Sequence, residues 1–154
     1  MKARTMILTL TLCFVGVAVV FAEDANMGTW KLNEAKSTFA TGATKNMTVV
    51  YEAVGDNVKV TVDGTDKDGK PTHNEWTGKY DGKDYPVAGD PNTDLRSLKK
   101  IDDRTLGLTA KKGGKVVTTG LIVVSADGKT RTVGTSGTDS MGRMMKSSAV
   151  YDKQ

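Results

Sequence analysis

Polar and apolar residues alternate along most of the chain after residue 26, and this alternation predicts β-strands. Residues 47–53 and 58–63 both follow the pattern, and the turn sequence Gly55-Asp56-Asn57 separates them. Pairs such as Asp81-Gly82 suit tight hairpins, because both residue types tolerate the positive φ that these turns need. No window in this part of the chain shows the sustained period of an amphipathic helix. The chain is therefore predicted to be all-β.

The pattern predicts about nine strands, nearly all joined by short turns. The predicted strands lie near 28–32, 47–53, 58–63, 73–80, 94–101, 104–111, 115–125, 129–136 and 144–152. Such strands form antiparallel meanders, and closure into an up-and-down barrel removes the two exposed edges. We expect a barrel rather than a sandwich, because only the connections 33–44 and 84–93 are long. Two prolines and a glycine in 84–93 predict an irregular rim or lid loop there.

One short sequence echo occurs within this pattern. Residues 64–70, Gly-Thr-Asp-Lys-Asp-Gly-Lys, resemble residues 137–143, Gly-Thr-Asp-Ser-Met-Gly-Arg. We interpret the two segments as the same hairpin turn made from the same residue types rather than as a true repeat. No linker or low-complexity segment divides the chain.

The N-terminus is predicted to be a cleavable secretory leader. Met1-Lys2-Ala3-Arg4 is positively charged, residues 6–20 are apolar apart from threonines and one cysteine, and Val20-Phe21-Ala22 offers small residues at the cleavage site. The apolar run is short for a transmembrane helix. We predict cleavage after Ala22, a single domain over 23–154, and a secreted or periplasmic location with no stable membrane anchor after cleavage.

The mature chain is close to neutral. Loss of Lys2 and Arg4 from the 22 basic residues leaves 20 against 18 acidic ones, which is a net charge of +2. This balance does not indicate a nucleic-acid partner or an anionic membrane. The single cysteine, Cys13, lies in the leader, so no disulfide or thiol chemistry is expected in the mature protein. We expect a monomer.

Two motifs resemble the calycins, the superfamily of lipocalins and fatty-acid-binding proteins. Gly28-Thr29-Trp30 resembles their Gly-x-Trp signature, and Gly28 to Leu32 is similar to the opening of the fatty-acid-binding proteins. Residues 149–153 resemble their last strand, while 81–87 and 150–154 are similar to small exported bacterial proteins described as lipocalin-like. The resemblance implies a barrel in which Gly28 and Trp30 form a structural motif and a small hydrophobic ligand occupies the lumen.

The chain also departs from the fatty-acid-binding proteins. Residues 33–44 are too short for their helix-turn-helix lid, and Ala149 replaces the arginine of their ligand-binding Arg-x-Tyr, so that only Tyr151 remains. The C-terminal helix of the lipocalins is absent from the sequence. These departures argue against fatty-acid binding as such, but they do not affect the prediction of a barrel.

Five residues are predicted to bind a ligand in the lumen. They are Tyr51, Trp76, Tyr80, Arg131 and Tyr151. Apolar enclosure would supply most of the affinity, at ~25 cal/mol per Å² buried, and the tyrosines or Arg131 would orient a polar end. The same aromatic side chains would equally serve as core filling, because small barrels are often packed solid.

Trp30 is expected to be a structural plug rather than a ligand contact. A large indole at one end of a small barrel packs well against a neighbouring strand, and an arginine such as Arg131 or Arg143 would cover its face.

Catalysis and metal binding find little support in the sequence. His73 is the only histidine and shares a face with Glu75, but we expect an exposed strand residue, and a transition-metal site would lack ligands. Asp63, Asp66 and Asp68 do not fit the calcium-loop pattern. No nucleophile motif is present. We expect no catalytic residues, no metal, no cofactor and no enzymatic activity.

The predicted function is therefore that of an exported lipocalin-like barrel that binds a small hydrophobic or amphipathic ligand in its lumen. The alternative is a non-catalytic interaction or structural module with a filled barrel, in which the loops 33–44 and 84–93 contact a protein or a glycan. The state of the interior separates the two, because a cavity of several hundred Å³ favours binding and a filled interior favours the module.

Overall fold

The computed structural model describes residues 24–139 and 141–154. The leader predicted over 1–22 lies outside these residues. The described chain forms a closed barrel of antiparallel strands in which each strand pairs with its neighbours in sequence, and β1 closes the barrel against β10. The strands are β1 Gly28–Leu32, β2 Lys45–Val54, β3 Asn57–Thr65, β4 Pro71–Gly78, β5 Tyr85–Ala88, β6 Leu95–Asp102, β7 Thr105–Lys112, β8 Lys115–Val124, β9 Thr130–Thr138 and β10 Met144–Lys153. The all-β up-and-down barrel predicted from the alternation is confirmed.

Strand β5 corrects the prediction of an irregular loop over 84–93. Its four residues pair with β4 through Trp76 and Val87 and with β6 through Tyr85 and Arg96. Pro86 lacks an N–H, but the neighbouring Val87 N–H donates to the Asp94 carbonyl oxygen at 2.9 Å. A strand of four residues tolerates one missing donor when its neighbours supply the ladder. The barrel therefore has one strand more than the sequence predicts.

The connection between β1 and β2 follows the wall of the barrel rather than leaving it. A single 3₁₀ turn, Glu34–Lys36, begins at Asn33, whose side chain accepts a hydrogen bond from the Lys36 N–H. Thr38 then pairs with Ser148 of β10. In the part of the chain that the structure describes, no helix is long and apolar enough to cross a membrane.

The echo between 64–70 and 137–143 is one turn used twice. The Asp66 carboxylate accepts hydrogen bonds from the backbone N–H groups two and four residues later, at 2.8 and 2.9 Å. The Asp139 carboxylate accepts the equivalent bonds from Met141 and Arg143, both at 2.9 Å. Both turns are Asp-x-x-Gly closures of a β-hairpin, as the sequence comparison indicates.

Alternation along each strand divides the barrel into an interior and an outer wall. On β8, where both faces are apolar, Ile122 and Val124 point inward and are buried, while Leu121 and Val123 point outward. The core consists mainly of buried aliphatic and aromatic side chains: Trp30, Leu32, Val49, Tyr51, Val60, Val62, Trp76, Leu98, Leu106, Ile122, Val124, Ala149 and Tyr151.

Candidate ligand-binding site

Four side chains from four strands meet at one end of the barrel, and we call them the floor: Trp30, Tyr51, Arg131 and Tyr151. The Arg131 guanidinium lies 5.0 Å from the Trp30 ring centroid, 4.9 Å from that of Tyr51 and 5.0 Å from that of Tyr151. Cross-strand pairing of Arg131 with Tyr151 brings these two together. Only 2% of Arg131 is exposed. The guanidinium is therefore held among three aromatic rings inside the protein.

Trp30 occupies the position that the sequence suggests for a plug. Its Nε1–H donates to the Asn26 carbonyl oxygen at 2.8 Å, which seats the segment before β1 beneath the ring. Trp30 is fully buried, and the arginine that covers it is Arg131. Arg143 instead lies in the turn before β10, where its Nε donates to Asp139 at 2.7 Å.

The Arg131 guanidinium has no counter-ion among residues 24–139 and 141–154. Its Nε and Nη1 atoms are buried and have no hydrogen-bond partner, and the same is true of the Tyr80 hydroxyl. A buried donor without a partner costs about 1–3 kcal/mol, and a charged one costs more. The aromatic rings offset part of the charge, but they do not accept hydrogen bonds from both nitrogens in their own plane. The floor therefore contains unsatisfied donors that an acceptor would satisfy.

Tyr80 and Tyr151 remain protonated at neutral pH. Burial raises the pKa of Tyr151 to about 12, although the Arg131 guanidinium opposes the shift. Burial, and then the nearby Tyr51 and Asp24, raises the pKa of Tyr80 as well. Both hydroxyls consequently act as hydrogen-bond donors rather than as phenolates.

A second arginine, Arg96, lies in the interior, although it is not among the residues predicted to line the lumen. It lies on β6 at an inward position two residues before the buried Leu98, and its Nη2 donates to the Asn74 Oδ1 at 3.2 Å. Asp90 approaches the same nitrogen at 3.9 Å. Burial lowers the pKa of Arg96, and the nearby Tyr51 and Asp90 oppose that shift. The sequence does contain a signal for it: Arg96 is two residues from Leu98 on the same strand, so both side chains point to the same, apolar face.

The structure brings together only some of the residues predicted for the lumen. Tyr51, Arg131 and Tyr151 are in contact in the floor, and Tyr80 is half-buried nearby. Trp76 is buried elsewhere in the wall, where its Nε1–H donates to the Arg96 carbonyl oxygen at 2.8 Å and its ring meets Tyr85 edge-on. The predicted group therefore separates into a charged floor and a packed tryptophan.

The interior beyond the floor is lined by small side chains on one side. The inward positions of β8, β9 and β10 there are half-buried rather than buried: Thr118, Gly120, Thr135, Gly137 and Ser147. Side chains of this size leave more space between opposite walls than the aromatic residues of the floor do. This side of the interior therefore carries glycine and small hydroxyl-bearing residues, on the same strands β9 and β10 that supply Arg131 and Tyr151 to the floor.

Two cavities open at the surface, and neither is lined by the five predicted ligand residues. One of ≈ 520 Å³ lies between the segment after β1 and the β3–β4 turn: Phe39, Ala40, Gly42, Ala43, Lys45, Thr65, Asp66, Lys67 and Gly69. The other, of ≈ 500 Å³, lies across β8, β9 and β10: Thr38, Thr119, Gly120, Leu121, Gly134, Thr135, Ser136, Lys146, Ser147 and Ser148. Most of the residues around the second cavity point outward, so it is a groove on the outer wall.

His73 lies on the outer wall, away from the floor. Its Nδ1 is 2.7 Å from an Asp63 oxygen, and its Nε2 is 3.8 Å from a Glu75 oxygen. The hydrogen bond with Asp63 is the main reason that the pKa of His73 is raised. Within the described residues, no group of three or more His, Cys, Asp or Glu side chains is arranged to hold a metal ion.

Comparisons with known proteins bear on the fold alone. No family model matches the chain, and no curated protein does. Among solved structures, "EF1p2_mFAP2b bound to DFHBI" superimposes with a TM-score of 0.51 at 12% identity, over 84% of this chain and 94% of the other. A second, "a redesigned beta barrel, mFAP1, bound to DFHBI", gives a TM-score of 0.48 at 17% identity, over 84% and 95%. The first of these likenesses agrees with the closed barrel, and a ten-strand meander of this kind fits a calycin-like fold.

Proposed function

We propose that this protein is an exported lipocalin-like barrel that binds a small amphipathic molecule, with its apolar body in the lumen and an anionic end at Arg131. The observation that carries this proposal is the Arg131 guanidinium, which is buried and yet leaves Nε and Nη1 without a partner. An oxyanion in a fork geometry accepts from Nε and Nη2 or from Nη1 and Nη2, so one anion would satisfy one of the two unpartnered nitrogens and would also neutralise the charge.

The neighbouring groups support an anionic end over a neutral one. The Tyr80 hydroxyl, near the Asp24 carboxylate, has no hydrogen-bond partner among the described residues. Arg96, which Asp90 approaches at 3.9 Å, is a second guanidinium in the interior. In this proposal the apolar body lies along the small inward side chains of β8–β10. The solved barrel EF1p2_mFAP2b is bound to DFHBI, which supports a small-molecule role for a barrel of this fold.

Two probes that differ by one charged group test this proposal. 1-Anilinonaphthalene-8-sulfonate has an apolar ring system with a sulfonate, and N-phenyl-1-naphthylamine has the same rings without it. Titration by fluorescence compares the natural protein with Arg131→Met, which retains an unbranched side chain but removes the charge. Arg143→Met is the matched control, because Arg143 lies in the same hairpin and its side chain is 69% exposed.

We expect Arg131→Met to weaken binding of the sulfonate probe by at least about tenfold, which corresponds to ~1.4 kcal/mol. Binding of the neutral probe should change little, and Arg143→Met should leave both probes unaffected. If Arg131→Met and the natural protein bind the sulfonate probe equally well, Arg131 is not part of the binding site. A folded protein that binds neither probe would favour the interaction module over a ligand carrier.

Export is the second part of the proposal, and it rests on the sequence of residues 1–22. Expression of the full chain in a bacterial host, followed by fractionation and intact mass measurement, tests it directly. We expect a protein that begins at Glu23 outside the cytoplasm. A full-length cytoplasmic product would contradict export without affecting the probe experiment.

A further inference from the structure

The central part of the outer wall over β7, β8 and β9 carries no charge, whereas Lys111, Lys112 and Lys115 lie at the end of β7 and the start of β8. Outward positions along this part of the three strands are neutral and mostly small: Thr105, Gly107, Thr109, Thr119, Leu121, Val123, Thr132, Gly134 and Ser136. We call this surface the neutral wall. On β2–β4, by contrast, the outward positions include Glu52, Lys59, Asp63, His73 and Glu75. Depletion of charge is the compositional mark of an interface centre.

A protruding side chain stands in the middle of the neutral wall. Leu121 has a glycine as its cross-strand neighbour on both sides, Gly107 on β7 and Gly134 on β9. Because neither neighbour has a side chain, Leu121 rises above the strands around it and is 48% exposed. Val123, two residues along the same face, is also exposed. The pair forms an apolar ridge on an otherwise Thr-, Ser- and Gly-rich surface.

A hollow lies directly beside this ridge. A Cβ placed at Gly134 would meet no atom within 4 Å, whereas one at Gly107 would meet the Ile101 side chain at 3.5 Å. The space over Gly134 belongs to the groove of ≈ 500 Å³, which Leu121, Ser148 and Thr38 border. The wall therefore combines a knob with an empty hole one strand away.

A knob beside a hole on one neutral surface is self-complementary. Under a twofold rotation, Leu121 of each copy enters the hollow over Gly134 of the other, so both apolar side chains leave water. Two copies of an uncharged surface meet without like-charge repulsion. Two copies of the charged outer wall of β2–β4 would bring like charges together. We infer that the neutral wall is the interface of a symmetric dimer of this chain, in place of the monomer expected from the sequence.

The size of the wall sets the strength of the dimer. The three strands of the wall, about 4.8 Å apart and about seven residues long, cover on the order of 300 Å² per copy, and the bordering residues of β6 and β10 raise this to about 500 Å². Stable complexes bury about 800 Å² per partner, so the dimer is weak and reversible. Lys99 on β6 and Lys146 on β10 border the wall and form its polar rim. This arrangement does not depend on the proposed ligand.

Sedimentation equilibrium of the protein, expressed from its full sequence and purified as the host processes it, tests the inference. Leu121→Glu places a charge on the knob, and Gly134→Val places a side chain in the hole, where a Cβ meets no atom within 4 Å. Val54→Glu is the matched control, because Val54 is a 50% exposed aliphatic residue on β2, outside the neutral wall. Near-UV circular dichroism verifies that each variant folds.

The average mass of the natural protein should rise from one copy to two as its concentration increases. Leu121→Glu and Gly134→Val should each raise the dissociation constant by about tenfold or more, and Val54→Glu should leave it unchanged. The inference is overturned by a single-copy mass up to millimolar concentration, by association that both wall variants leave intact, or by growth beyond two copies.

Discussion

Replacement of Arg131 by methionine distinguishes a ligand anchor from a structural plug through the stability of the empty barrel. In the ligand-free protein, the guanidinium is stabilised by three ring contacts, worth about 0.5–2 kcal/mol each. Against them stand a desolvation penalty of several kcal/mol for the buried charge and about 1–3 kcal/mol for each unpaired N–H group. Nε and Nη1 are two such groups.

These penalties are at least as large as the ring contacts, so the empty Arg131→Met protein should unfold within about 1 kcal/mol of the natural protein, or be more stable. Methionine fills much of the same volume and packs flexibly against aromatic rings. The same substitution should be costly when an anion is bound. A ligand at about 100 times its dissociation constant stabilises the natural protein by ~2.7 kcal/mol, and a variant that binds it tenfold more weakly forfeits about half of this.

The assay is urea unfolding followed by far-UV circular dichroism, with and without excess 1-anilinonaphthalene-8-sulfonate. We expect the two proteins to have similar free energies of unfolding alone and to separate by at least about 1.3 kcal/mol with the probe. Arg143→Met should match the natural protein in both conditions. A loss of more than about 3 kcal/mol in the empty variant would refute the reasoning, because the ring contacts would then dominate and Arg131 would be a structural element.

Two further predictions concern the wall and the turns. Gly120→Ala should destabilise the barrel by about 1–3 kcal/mol in urea unfolding, because its Cβ would collide with the Gly134 carbonyl oxygen, whereas Gly134→Ala has free space and should be neutral or slightly stabilising. Hydrogen bonds from backbone N–H groups are the largest cause that lowers the pKa values of four turn aspartates below 3.8: Asp66, Asp81, Asp102 and Asp139. For Asp127, the largest cause is the hydrogen bond from the Ser125 hydroxyl. Since these folded-state values are depressed, their stabilising effect is present above the unfolded-state pKa and is lost as the pH falls through the folded-state values. Asp139→Asn should therefore make the acid unfolding curve shallower below about pH 4, and an unchanged curve would contradict this assignment.

Much of the barrel is predictable from neighbouring residues. Alternation marks nine of the ten strands, and Asp-Gly turns such as Asp66–Gly69 mark the hairpins between them. The strand at Tyr85–Ala88 was missed because Pro86 dominates the local signal, while the pairing that sustains the strand comes from β4 and β6. The rule that proline disfavours a strand considers Pro86 alone and leaves out the pairing with β4 and β6 that compensates for its missing N–H.

The candidate site was less predictable, because its members are distant in sequence. Tyr51, Arg131 and Tyr151 were proposed for the lumen as separate residues, and only the barrel places them around one guanidinium. The choice between Arg131 and Arg143 as the cover of Trp30 depends on which strand position faces inward. Arg96 was overlooked, since a charge in an alternating strand is ordinarily assigned to the outer face.

The sequence by itself determined the elements of this protein: strands from the period of two, hairpins from Asp and Gly, and a plug from the tryptophan of the first strand. These follow from local sterics and from the pleat, which act within a few residues. Only the tertiary structure decided that β1 pairs with β10 and that Leu121 points outward while Ile122 points inward. It also decided that a buried arginine lacks a partner. The closure of the barrel, the direction in which each side chain points and the hydrogen bonding of buried polar groups all depend on residues brought together across the whole chain. No local pattern encodes them.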